Sequence, residues 1–141
     1  MLNTVLVDAG PLIALFDRDD KYHEAVKDFL SKGQYKFVST AAVLTEVSSI
    51  LNFNAGAQID FFEWILKKGV ALCDVERGCA SRIIQLIQKY SDMPVDFTDA
   101  TLVLAAEKTG IHSIISVDSN FAARLPGREN IHNIFYGKDY I

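Results

Sequence analysis

The chain has 141 residues, half of them hydrophobic and 23% charged, a balance typical of a globular domain that can bury a sizeable core. We therefore expect one domain over residues 1–141. The formal net charge of −4 disfavours nucleic-acid binding through a broad basic surface, although a bound cation can invert the local field.

The cysteines and the lengths of the apolar runs bear on the cellular compartment. Cys73 and Cys79 match no zinc-binding spacing, so we expect reduced thiols in the core. No apolar run reaches the roughly 18 residues that span a bilayer, and no basic leader precedes the first apolar strand. The sequence thus predicts a soluble, cytoplasmic protein without membrane contact.

Strand and helix patterns alternate in the first half of the chain. Residues 4–7 form an unbroken apolar run, typical of a strand buried on both faces, and Pro11 suits the first turn of a following helix. Thr40 is a favoured N-cap for a helix with apolar residues at helical spacing. Further patterns predict a helix over 20–32, a strand over 36–39, and a helix over 57–68 with Ile59, Phe62, Ile65 and Leu66 facing inward.

The alternation continues in the second half. A helix over 98–109 ends at Gly110, the residue type that most readily adopts the left-handed conformation after a helix. Residues 113–117 form a second strongly apolar strand. Weaker patterns predict a strand over 70–73, a helix over 78–90 and a last strand over 131–135.

This alternation implies crossover connections, and so an α/β fold class with a mainly parallel sheet and helices on both faces. In open parallel sheets, ligands bind outside the carboxyl ends of the strands. Asp8 and Asp118 each follow a buried strand directly. Both are therefore expected to point into the ligand crevice.

Three more acidic residues lie on predicted helices. Glu46 falls on the stripe of its helix that is expected to face the core; alternatively, its carboxylate reaches water at the edge of that stripe. Asp96 and Asp99 lie three residues apart where a helix begins. Asp96 suits the N-cap position, and Asp99 is expected to face inward from the first turn.

Each strand-end acid also has a purely structural interpretation. Asp8 could cap the helix that begins near Pro11, and Asp118 could be a turn residue. Considered together, the acids indicate a shared site, because like charges packed within several ångström cannot all remain ionised without compensation. A divalent cation compensates them, and oxygen-only ligands select Mg²⁺ or Mn²⁺ over zinc. Such sites activate a water for in-line displacement at phosphorus.

The order of these motifs resembles that of the PIN-domain nucleases, and most closely the VapC-type toxins of prokaryotic toxin–antitoxin pairs. The resemblance extends over residues 4–135 and is carried by Asp8 in VLVDAGPLIALFDRDDKYH, Glu46 in STAAVLTEVSSIL, Asp96 and Asp99 in VDFTDATLVLAAEKTG, and Asp118 in IISVDSNFA. It implies a three-layer α/β/α sandwich and a Mg²⁺- or Mn²⁺-dependent endoribonuclease. It further implies an RNA substrate, a homodimer and inhibition by a cognate antitoxin protein.

The same resemblance implies roles for individual residues. Catalysis and metal binding are assigned to Asp8, Glu46, Asp99 and Asp118. Two secondary residues are implied: Asp96 matches an additional acid of some members, and Ser116 stands where a hydroxyl is frequent and can hold a carboxylate by a hydrogen bond.

One position departs from the family pattern. Many members carry Thr or Ser directly after the first Asp, whereas this chain has Ala9 followed by Gly10. The support expected for the Asp8 carboxylate is therefore weakened at this point.

Other functions fit parts of the pattern. A PIN-like module that binds RNA or a partner protein without cutting is the main alternative, because position 9 lacks a hydroxyl and the chain is acidic. A phosphate-accepting receiver domain would need a Lys after a late strand, where this chain has Asp118. A Rossmann or P-loop enzyme is disfavoured, because no Gly-rich phosphate loop follows any strand.

Overall fold

A five-stranded sheet forms the centre of the protein, as seen in a computed structural model that describes residues 2–92, 95–118 and 131–136. Its strands are β1 (Leu2–Val7), β2 (Gln34–Ser39), β3 (Val70–Leu72), β4 (Ser113–Ile115) and β5 (His132–Asn133). They are all parallel and lie in the order β3-β2-β1-β4-β5. The chain thus begins at the middle of the sheet and extends it first to one side and then to the other.

Helices cover both faces of this sheet. In the described residues they are α1 (Ala9–Phe16), α2 (His23–Ser31), α3 (Ala41–Ile50), α4 (Ala55–Leu66), α5 (Ala80–Lys89) and α6 (Phe97–Thr109). α1 packs against α2, α3 and α4, whereas α5 packs against α6. Because parallel crossovers are right-handed, the change of direction after β3 carries the later helices to the opposite face. The predicted three-layer α/β/α fold is confirmed.

α6 is the most deeply buried helix. Every residue from Asp99 to Ala106 is buried, as expected of a helix enclosed on several sides. It ends at Gly110, whose φ of +73° is left-handed and whose N–H donates to Ala106 O at 2.9 Å. The predicted glycine stop is confirmed.

The prediction for the inward face of α4 holds for Ile65, which is half-buried and packs against the core, and is wrong for the other three residues. Leu66 is 82% exposed, and Ile59 and Phe62 also face outward, whereas Ala57 and Phe61 are buried. α4 carries apolar residues on nearly all of its sides. Two sets of apolar positions, offset from each other by about one residue, therefore both fit the helical period. Only the packing of Phe61 against its neighbours, among them Phe16 at a ring-centroid distance of 5.5 Å, selects the buried stripe.

Two remaining sequence expectations concern thiols and membranes. Cys73 and Cys79 are both free and half-buried. Across the described ranges, no helix combines the length and apolar character needed to cross a bilayer.

Candidate active site

A crevice is expected at the carboxyl edge of the sheet, where the strand order reverses between β1 and β4. Asp8 follows β1 directly, and Ser116 follows β4 directly. The Asp8 N–H donates to Ile115 O at 3.1 Å, which is the last backbone link between the two strands' ends. The two segments that leave these strands therefore start side by side at the switch point.

The hydroxyl of Ser116 links Asp8 to the backbone of Asp118, which lies three residues beyond the end of β4 and not directly after the strand as predicted. It donates to Asp8 Oδ2 at 3.2 Å and accepts the backbone N–H of Asp118, also at 3.2 Å. Ser116 is 1% exposed, so water does not compete for these bonds in a region of low dielectric. The hydrogen bond from Ser116 to a carboxylate, implied by the family resemblance, is present.

Asp8 uses its two carboxylate oxygens differently. Oδ1 accepts the Ala9 N–H at 2.8 Å from the N-cap position of α1, so the interpretation of Asp8 as a helix cap is confirmed. Oδ2 faces Ser116. An ionised carboxylate has about four acceptor sites, so the capping bond leaves capacity for a further ligand. The support that Ala9 cannot supply comes from Ser116 on the neighbouring strand.

The small residue at position 10 allows α1 to approach the segment after β4. A Cβ built on Gly10 would lie 2.6 Å from Val117 Cγ2, well inside van der Waals contact. The first turn of α1 therefore packs directly against the segment that carries Ser116 and Asp118. This close approach explains why small residues follow Asp8 at the end of the buried strand.

The start of α6 supplies two more acids. Asp96 is the N-cap, and its Oδ1 accepts the N–H groups of Thr98 at 2.7 Å and Asp99 at 3.3 Å, as predicted. Asp96 itself is exposed, whereas Asp99 is 5% exposed and faces inward, also as predicted. The partial positive charge at this helix end favours a carboxylate there.

A pair of threonines ties α6 to the same edge of the sheet. Thr40, directly after β2, and Thr101 are both buried, and their hydroxyl oxygens lie 2.8 Å apart. Thr101 gives its one hydroxyl proton to Thr98 O at 2.6 Å, so Thr40 is the donor of the pair. The sequence indicated only the helix-capping role of Thr40 and gave no sign of this contact.

The position of Glu46 differs from the expectation. Glu46 lies on α3 and is exposed, so its placement on a core-facing stripe is wrong and the alternative, that its carboxylate reaches water, is correct. The buried residues of α3 are Val43 and Val47. Val43 lies on the predicted face, but the next buried position is Val47 and not Glu46. Glu46 therefore lies on the solvent-exposed side of α3, and it would approach a site shared with the other acids from that side.

Asn133 is the polar residue of this edge that sequence reasoning missed. Its side-chain amide bonds to the backbone of Ser116 on both the N–H and the C=O. It lies on β5, within the strand predicted over 131–135, but nothing in that pattern marks an Asn whose side chain bonds to a neighbouring backbone.

The side chains at this edge suit a divalent cation in their chemistry, although no three of those described are grouped around one position. Within residues 2–92, 95–118 and 131–136, no three His, Cys, Asp or Glu side chains are already grouped closely enough to hold a metal ion. The acids that converge on the edge offer carboxylate oxygens only, which suits a hard cation such as Mg²⁺ or Mn²⁺. Asp8 Oδ2 and the buried Asp99 are the donors that best fit such an ion: Asp8 lies at the switch point, and Asp99 lies in the first turn of α6, which Thr101 ties to the end of β2.

Fold and site together define an α/β protein with acidic residues at the carboxyl edge of a parallel sheet. A sequence model of the PIN domain matches residues 5–124, and the chain belongs to that family. The match includes all five acids of the site and Ser116, but it ends before Asn133.

Two solved structures share the fold. VapC20 of Mycobacterium tuberculosis, a toxin that cleaves the sarcin–ricin loop, superposes with a TM-score of 0.73 at 21% identity, over 84% of this chain and 93% of its own. PAE2754 of Pyrobaculum aerophilum superposes with a TM-score of 0.56 at 16% identity, over 94% of this chain and 90% of its own. No curated protein matched the chain in sequence.

Proposed function

We propose that this protein is a Mg²⁺- or Mn²⁺-dependent endoribonuclease that hydrolyses RNA phosphodiester bonds, and the toxin of a toxin–antitoxin pair. One observation carries the proposal: the buried Ser116 hydroxyl joins Asp8 to the backbone of Asp118 at the switch point of a PIN-family sheet. A carboxylate fixed in orientation at a ligand crevice is the arrangement that a metal site requires.

Asp8, Asp99 and Asp118 would hold the divalent ion, with Glu46 completing the set from α3. When bound, the ion supplies an activated water and offsets charge on the scissile phosphate. Ser116 orients Asp8, and Asp96 fixes the first turn of α6 from which Asp99 projects.

The protein backbone also favours negative charge at this edge. α1 and α6 both begin here, and the N-terminal ends of helices carry partial positive charge. These ends stabilise the acids and the approaching phosphate, even though the chain as a whole is acidic. This offers a route to RNA binding that does not depend on a broad basic surface.

The proposed partners are an RNA substrate, a cognate antitoxin protein and a second copy of the chain in a cytoplasmic homodimer. The shared fold with VapC20, a toxin that cleaves the sarcin–ricin loop, supports RNA as the substrate class. Exposed apolar side chains at Phe53, Ile59 and Leu66 suit contact with a protein partner.

The second candidate is a PIN-like module that binds RNA or a partner protein without cutting. It is favoured by the acidic charge of the chain and by Ala9, which stands where many family members carry a hydroxyl. The two candidates differ in whether the protein binds a divalent ion.

The test is RNA cleavage by the purified protein with Mg²⁺, with Mn²⁺ and with EDTA. The substrates are structured RNAs, including a hairpin that carries the sarcin–ricin loop. We expect metal-dependent cleavage that is abolished in Asp8→Asn. The amide of Asn still offers an acceptor for the Ala9 N–H, so the helix cap is retained while the charge is lost.

Asp20→Asn is the matched control for this experiment. Asp20 Oδ1 accepts the Tyr22 N–H at 2.8 Å in a turn between α1 and α2, so the substitution removes the same charge from a similar local motif. It should leave cleavage unchanged. If the unaltered protein cleaves no RNA and Mn²⁺ does not raise its melting temperature, the non-cleaving module is the correct function.

A further inference from the structure

The side chain of Asn133 makes a complete set of hydrogen bonds beyond the end of β4. Its Oδ1 accepts the N–H groups of Ser116 at 3.2 Å and Phe135 at 3.1 Å. Its Nδ2 donates to Ser116 O at 2.9 Å and to Asp118 O at 3.4 Å. All four hydrogen-bonding positions of the amide are therefore used.

The orientation of this amide is fixed by its partners. A backbone N–H can only donate and a backbone C=O can only accept, so the oxygen must face the Ser116 N–H and the nitrogen must face the Ser116 C=O. Asn is the residue that fits this role, since Asp lacks the donor and Leu lacks both groups.

The amide takes over where the strand ladder stops. β4 ends at Ile115, and the Asp8 N–H uses the Ile115 carbonyl as the last rung from β1. Beyond that point, Asn133 supplies to Ser116 the two bonds that a neighbouring strand would otherwise supply. Tyr136 also holds this segment, because its hydroxyl donates a hydrogen bond to Val117 O.

From these contacts we infer that Asn133 is a positioning residue of the site. It holds the backbone of residues 116–118 so that the Ser116 hydroxyl points at Asp8 Oδ2 and Asp118 stays at the crevice. This inference rests on the proposed function, because its consequence is the affinity of the site for a divalent ion. Groups that orient metal ligands in this indirect way change affinity or activity by roughly 10- to 100-fold when removed.

The test measures Mn²⁺ binding by titration calorimetry in the unaltered protein, in Asn133→Leu and in Asn133→Ala. Leu keeps the branched shape of Asn, at a larger volume, without its hydrogen bonds, and Ala removes both the shape and the bonds without adding volume. We expect the dissociation constant for Mn²⁺ to rise about tenfold or more in each variant, with RNA cleavage falling in parallel. Val70→Ala, in the edge strand β3, is the control for lost stability and should leave Mn²⁺ affinity unchanged.

A second measurement needs no variant. The Ser116 amide proton should exchange with solvent slowly in the unaltered protein, because Asn133 Oδ1 accepts it. Fast exchange of this proton would overturn the inference even if both variants fail to fold. Unchanged Mn²⁺ affinity in a folded Asn133 variant would also overturn it while the proposed function stands. A failure of the unaltered protein to bind Mn²⁺ would instead refute the proposed function, and the inference with it.

Discussion

Ser116→Ala is the substitution that tests the site most directly. The Ser116 hydroxyl donates to a buried carboxylate at 3.2 Å, and a hydrogen bond to a charged group contributes about 1.5–3 kcal/mol to the free energy of unfolding. Its second bond, from the Asp118 N–H, is to a neutral group and adds about 0.5–1.5 kcal/mol. We expect Ser116→Ala to lower the free energy of unfolding, measured by urea denaturation, by roughly 2–4 kcal/mol.

Ser39→Ala provides a matched control. Ser39 is also a fully buried serine, at the end of the adjacent strand β2, and its hydroxyl donates to the neutral Val7 carbonyl at 2.9 Å. Its loss should cost only about 0.5–1.5 kcal/mol. Because the Ser39 hydroxyl bonds to the peptide that precedes Asp8 and not to its carboxylate, Mn²⁺ affinity should fall much more in Ser116→Ala than in Ser39→Ala. Equal losses of stability with unchanged Mn²⁺ affinity in both variants would refute the reasoning.

Three other outcomes are expected. Gly10→Ala should cost about 1–3 kcal/mol in thermal unfolding, because its Cβ would lie 2.6 Å from Val117 Cγ2; an unchanged melting temperature would contradict the close packing. Phe61→Ala should lower the free energy of unfolding by about 3–5 kcal/mol, whereas Leu66→Ser should change it by less than about 0.5 kcal/mol. The opposite order would mean that α4 buries the stripe that carries Leu66. Mn²⁺ at about 100 times its dissociation constant should stabilise the protein by about 2.7 kcal/mol, and EDTA or Asp99→Asn should remove that gain.

The helix ends and the parallel direction of the strands follow from local sequence signals. Asp96 and Gly110 bound α6 as predicted, because capping depends on the residue and its nearest backbone groups alone. The same holds for Thr40 at the start of α3. The parallel sheet follows from the alternation of elements, since each crossover must return the chain in the same direction.

Helix faces depend on packing that no local pattern contains. α4 is apolar nearly all round, so its sequence fits two stripes, and the contact of Phe61 with its neighbours decides between them. Glu46 lies next to a buried position on α3, and a shift of one residue in the buried stripe moves it into solvent.

The acids of the candidate site could be found from the sequence, because a carboxylate at the end of an apolar strand is unusual and is visible in one dimension. Their connections could not be found in this way. Ser116 lies 108 positions from Asp8, and the two meet only because β1 and β4 are neighbours in the sheet. Asn133 reaches Ser116 from a strand that the sequence predicts, but no local pattern shows which backbone its side chain bonds. The sequence by itself determined which groups are present and the caps of α3 and α6, whereas β4 ends two residues before the predicted position and α4 begins two residues before it. Only the tertiary structure decided which of those groups touch, because contacts between distant segments depend on strand order and packing.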